Sequence, residues 1–155
     1  MEEYPTPERL YAETADFMRL HWPKAETAPT WSDPWQYEGT IPFNTQPGCY
    51  AVLSRGEVIY VGVGAGKGVA RYAGAGLGDR LRGYYRERRD EAGARVGRGL
   101  YQPHPNWPEA EALVTLGLPH ERYYLAYALE PFLIGRLNPR RNSKGLRAPG
   151  DTPAF

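Results

Sequence analysis

The chain has 155 residues, 41% of them hydrophobic and 24% charged, with a formal net charge of +1. These values predict one folded domain and exclude a wholly disordered chain. No apolar run approaches the ~18 residues of a membrane span, so no membrane association is expected. The opening MEEYPTPERL is acidic without an apolar signal core, and the lone Cys49 permits neither an internal disulfide nor a multi-cysteine zinc site, so a reducing, cytoplasmic setting is expected.

Thr6-Pro7 predicts a helix start, with a capping hydroxyl followed by proline at the first helical position. Leu10, Phe17 and Leu20 give that helix an apolar side, and it should stop before Pro23. Residues 22–47 hold five prolines and three tryptophans (Trp22, Trp31, Trp35) and read as a structured wrap pinned to the core by the indoles. A hairpin follows. Residues 49–53 and 58–61 are strand-like, joined by a turn at 54–57, and their nearly continuous apolar character predicts burial on both faces.

Residues 62–78 are rich in Gly and Ala, but Lys67 is followed by Gly68 rather than Ser or Thr, so the P-loop pattern fails. The segment reads as a linker or as a loop lying along a ligand. Leu77, Leu81, Tyr84 and Tyr85 predict a helix over about 77–91, ringed by Arg80, Arg82, Arg86, Arg88 and Arg89. Residues 93–108 read as a loop and 112–116 as a third strand. Residues 120–137 read as a helix that Pro131 should kink or split, and the tail beyond 137 as irregular.

Charge is uneven along this order. Residues 1–47 carry three basic and eight acidic side chains, whereas 64–98 carry nine basic and four acidic ones. Residues 131–147 add five basic side chains and no acidic one. The two basic segments are candidates for a phosphate-attracting face, with an ordinary solvated surface as the alternative.

Four pieces in one order carry a pattern: Gly48-Cys49-Tyr50, Tyr60-Val61-Gly62, Arg80 before Leu81, and Glu130 followed by L-I, Pro139 and Asn142. Together they resemble the GIY-YIG nuclease family over residues 48–142. The resemblance implies an α+β fold in which a small three-stranded antiparallel sheet is flanked by helices. Residues 1–47 would be an N-terminal helix and Pro/Trp-rich extension packed on that core, and 143–155 an irregular tail. It also implies a divalent-metal-dependent endonuclease that hydrolyses DNA phosphodiester bonds, with DNA as partner and Mg2+ or Mn2+ as cofactor. The alternative is a non-catalytic nucleic-acid-binding module on the same fold.

The implied roles suit the residue types. A single carboxylate, Glu130, would anchor one divalent ion that takes its other ligands from water and phosphate. Arg80 offers a permanently charged planar fork to phosphate oxygens. Tyr50 would activate water, which requires a nearby cation, since a phenol ordinarily titrates near ~10. Tyr60 would bind the phosphate or assist. Tyr84, four residues after Arg80, would share the base role or pack under the sheet. Asn142 would orient the glutamate region by hydrogen bonds. Lys67, Arg71, Arg82 and Arg86 are the candidate DNA contacts. The chain shows no second DNA-binding motif, so a restriction or a repair role as monomer or homodimer is expected.

The chain departs from the family pattern in four places, the first being Cys49 where the middle residue of the first tripeptide is usually apolar. No lysine follows the second tripeptide, the 62–78 loop is long, and Pro131 directly follows Glu130. His21, His104 and His120 make no metal-ligand spacing, and Cys49 reads as a buried strand thiol.

Overall fold

The computed structural model describes residues 4–65 and 76–142. Lys67, Arg71, most of the 62–78 loop and the tail from 143 onward lie outside the described residues. The elements in chain order are α1 (Pro7–His21), β1 (Gly48–Ser54), β2 (Glu57–Gly64), α2 (Leu77–Leu81), β3 (Tyr85–Glu87), β4 (Tyr101–Pro103), β5 (Ala112–Gly117) and α3 (Tyr124–Leu137). They make a mixed α/β fold around an antiparallel sheet of order β2-β1-β5, with β3 and β4 forming a separate two-stranded ribbon.

β1 is the central strand, and all seven of its residues are buried. Its side chains alternate between two cores. Cys49, Ala51 and Leu53 pack with Leu10, Phe17, Met18, Leu129 and Leu133 under α1 and α3. Tyr50 and Val52 pack with Trp35, Leu77, Leu81, Tyr84 and Leu113 on the opposite face. The near-continuous apolar pattern of the hairpin is thus accounted for by a layer on each side. Arg55 and Gly56, both at positive φ, form its two-residue turn, a geometry that matches strand twist.

Both sheet edges are covered. Along β5, Trp35 exchanges two backbone hydrogen bonds with Leu113, and the Ser32 amide donates to the Thr115 carbonyl. Along β2, the Val58 amide donates to the Pro5 carbonyl and the Arg141 amide to the Ile59 carbonyl. The Asn142 side chain then accepts from the Val61 amide at 2.8 Å and donates to its carbonyl at 2.9 Å. A side-chain amide stands in for a fourth strand, which removes an exposed ladder.

Residues 4–47 are therefore packed onto the core. Thr6 caps α1 by accepting from the Arg9 amide at 3.2 Å, with Pro7 at the first position. The buried stripe of α1 is Leu10, Thr14, Phe17 and Met18; Leu20, expected on that side, is 75% exposed. Trp22 and Trp35 are buried and Trp31 packs partly buried beside the α1–α3 core, as the wrap predicted.

The long helix expected over 77–91 is a single short helix followed by a 3-10 turn (Arg82–Tyr84) and then β3. Leu77, Leu81 and Tyr84 do share a buried face, which is why the spacing reads as helical. Gly83 weakens continuation, and Tyr85 leaves the helix to stack edge-on against Tyr101 of β4 at 4.9 Å. Part of the 93–108 loop is accordingly strand. The 120–137 segment is a 3-10 turn (His120–Arg122) and then one helix. Pro131 does not split α3, because it sits on the exposed side while Leu129 and Leu133 hold the flanking turns in the core. Among the described residues no helix is long and apolar enough to cross a membrane.

Candidate active site

Three tyrosines far apart in sequence meet on the α2 side of the sheet. Tyr50 lies opposite Gly62 in the β1–β2 register. A Cβ at Gly62 would fall 2.3 Å from the Tyr50 Cζ and 2.4 Å from its hydroxyl, so the glycine is what lets the phenol lie across the neighbouring strand. The Tyr50 and Tyr84 hydroxyls share a hydrogen bond at 2.6 Å. Tyr60, partly exposed, completes the group, with its ring 6.1 Å from Tyr50 and 6.2 Å from Tyr84.

Arg80 reaches the same group from α2. A Cβ at Gly64 would come within 3.0 Å of the Arg80 Cβ and 3.2 Å of the Leu77 Cα, so a second glycine lets α2 settle on the end of β2. Interaction with Tyr50, and more weakly with Tyr84 and Tyr60, holds the guanidinium above its already high ordinary value. Arg80 is thus a cation set beside the Tyr50 phenol.

Glu130 comes from the other layer. It sits on α3, partly buried, and accepts from the Val63 amide on the outer edge of β2. Burial raises its carboxyl above the ordinary value, while the charge of Arg80 and the Val63 amide hold the shift back. Carboxylate and guanidinium thus feel one another's charge across the end of β2, from opposite faces of the sheet. Asn142 occupies the same edge one pair earlier, at Val61, which is the orienting position expected of it.

Burial dominates the acid–base character of the phenols. Tyr50 is fully buried and pushed up to about 12, with its Tyr84 hydrogen bond and Arg80 opposing the shift. Tyr84 is also raised, first by burial and then by Tyr50. In the resting site both are neutral. Cys49 lies behind them on the α3 side, its thiol raised by burial and then by Glu130, which is an inert rather than a nucleophilic setting.

Two members of this site gave no signal in the sequence. Trp107 stacks on Tyr84 at 4.9 Å and meets Tyr60 edge-on at 5.2 Å. Arg141 lies over the Trp107 ring at 3.8 Å and is tied to Glu109 at 2.5 Å. Together they wall the tyrosines from behind, and only the fold brings a loop tryptophan and a tail arginine there. Arg82 and Arg86 stand apart from the cluster. Both are exposed, and Arg82 faces Asp79 at 3.4 Å.

Among the described residues no three His, Cys, Asp or Glu side chains form a metal-binding group. The donor set at Glu130 fits a different mode, in which one carboxylate holds a hard divalent ion whose remaining ligands are waters and substrate phosphate. A partly desolvated carboxylate with one amide and a shared cation as neighbours has charge left to offer such an ion. No family model, curated protein or solved structure matches the chain, so the reading of this site rests on its own geometry.

Proposed function

We propose that the protein is a divalent-metal-dependent endonuclease that hydrolyses DNA phosphodiester bonds, on a core resembling the GIY-YIG nucleases. The observation that carries this is the convergence of Tyr50, Tyr60, Tyr84, Arg80 and Glu130 at one end of β2. A merely structural set of aromatics would not need a guanidinium beside the Tyr50 phenol and a partly buried carboxylate within its field.

Each residue has a distinct task. Arg80 presents its fork to the non-bridging phosphate oxygens and offsets the charge that grows there as the nucleophile adds. Glu130 would hold the Mg2+ or Mn2+ ion, which when bound neutralises phosphate charge and assists the departing oxygen. Tyr50 would activate water once substrate binding opens its buried hydroxyl, and Arg80 is the cation that favours its charged form. Tyr84 fixes the Tyr50 hydroxyl through the 2.6 Å hydrogen bond. Tyr60, the partly exposed member, meets the phosphate. Trp107 and Arg141 keep the phenols in place, and Asn142 keeps the edge of β2 from fraying beneath Glu130.

Incubation of the protein with supercoiled plasmid in Mg2+, Mn2+ or EDTA tests this. Nicked or linear product that requires the metal is expected. Binding without cleavage in any metal would favour the non-catalytic module. One cluster per chain means that a double-strand cut requires two chains or two successive nicks.

A further inference from the structure

On the far side of α2 from the tyrosine cluster lies a polar cavity of about 480 Å³. Its walls are three segments distant in sequence, locked together by backbone hydrogen bonds. The Gly39 amide donates to the Gly99 carbonyl at 2.9 Å and the Tyr101 amide to the Tyr37 carbonyl at 2.8 Å. The Gly78 amide donates to the Asn44 carbonyl at 2.8 Å, and the Leu77 amide to the Gln46 carbonyl at 2.9 Å. The cavity is therefore part of the fold itself.

Its lining includes Arg82, Arg98 and the carboxylate Asp79, together with Tyr85, Tyr101, Asn44 and Thr45. Arg98 has no carboxylate partner among the described residues, and Arg82 has only the exposed Asp79 at 3.4 Å. Guanidinium forks suit phosphate oxygens, tyrosine rings suit the face of a base, and an amide side chain suits a base edge. Arg80 and Arg82 are two residues apart at the end of one helical turn, so they project to opposite sides of it. The helix between them is about 10 Å across, so the two sites lie within the span of a few nucleotides.

We infer that this cavity receives one unpaired nucleotide of the DNA substrate, with its phosphate on Arg82 and Arg98 and its base against Tyr85 and Tyr101. A base stacked in a duplex cannot enter a walled cavity, whereas one out of the stack can. The substrate class is then duplex DNA interrupted by an unpaired nucleotide close to the cut. The inference rests on the nuclease reading for its substrate, but its test does not rest on cleavage.

Fluorescence anisotropy in EDTA compares a labelled duplex with the same duplex carrying one extra, unpaired nucleotide. Wild type should bind the interrupted duplex roughly tenfold more tightly, the scale of a charge-assisted contact. Arg98→Ala should remove that preference while shifting affinity for the intact duplex by no more than about threefold. Thr45→Trp, a substitution at an exposed position that fills the cavity and leaves every charge in place, should remove it as well. Equal binding of the two DNAs by wild type, or a preference that survives both variants, would overturn the inference. A preference in a protein that never cuts plasmid would retain the cavity's role and discard the nuclease reading.

Discussion

Burial pushes the Tyr50 phenol up to about 12 while Arg80 draws it the other way, and that opposition has a kinetic signature. If Tyr50 takes the proton of the attacking water, only its phenolate is competent. Below pH 12 that fraction rises about tenfold per pH unit. The logarithm of the cleavage rate should therefore climb with a slope near one from pH 6 to 9, and Tyr50→Phe should flatten it. A plateau near neutrality in wild type would assign water activation elsewhere. Glu130 makes the complementary case. Its carboxyl is raised above the ordinary 4.5, so the folded state holds that proton more tightly than the unfolded chain does. Its contribution to stability is full below the ordinary value and is lost as pH rises through the raised one. Glu130→Gln should accordingly melt higher than wild type at pH 7, and the gap should close toward pH 4. An unchanged gap across that range would mean that the carboxylate is not desolvated.

At the scale of elements, the hairpin, α1 and β5 were legible because each announces itself locally. Thr6-Pro7 marks a cap, Arg55-Gly56 supplies the turn, and the residues between are apolar or β-branched. The ribbon of β3 and β4 was not legible. Its strands are three residues each, thirteen residues lie between them, and Leu77, Leu81 and Tyr84 carry a helical spacing into the first of them. What turns the chain is the meeting of Tyr85 with Tyr101 and of Tyr84 with Tyr50, and neither contact is local. The same holds at the β2 edge, where Asn142 replaces a strand. Asn142→Ala removes two side-chain hydrogen bonds and leaves the Val61 amide and carbonyl open. A loss of about 2 kcal/mol is expected, since each bond contributes about 1 kcal/mol. Chemical denaturation reads the loss, and hydrogen exchange should show the Val61 amide opening faster than in wild type. Unchanged protection at Val61 would show that the edge is held by something else.

Over the whole molecule, the sheet separates two cores and the candidate site bridges them. Arg80 and the tyrosines belong to one layer and Glu130 to the other, so the carboxylate comes into the field of the guanidinium only when both layers are packed. The four short motifs made that pairing foreseeable as a list of residues. They did not show that Tyr50 is fully buried, that Trp107 and Arg141 back the cluster, or that a polar cavity opens beside it, because those depend on how the 93–108 segment and the tail return to the sheet. Charge follows the same division. The described part of the acidic N-terminal segment, residues 4–47, goes into α1 and the wrap, while Arg80, Arg82, Arg86 and Arg98 lie along α2 and the ribbon that follows it. The most direct test of the proposed nuclease is to measure binding and cutting together on one labelled DNA in Mg2+, for wild type and Glu130→Ala. A variant that binds as wild type does but no longer cuts is the predicted result. A variant that cuts at the wild-type rate would contradict the assignment of Glu130 and with it the site.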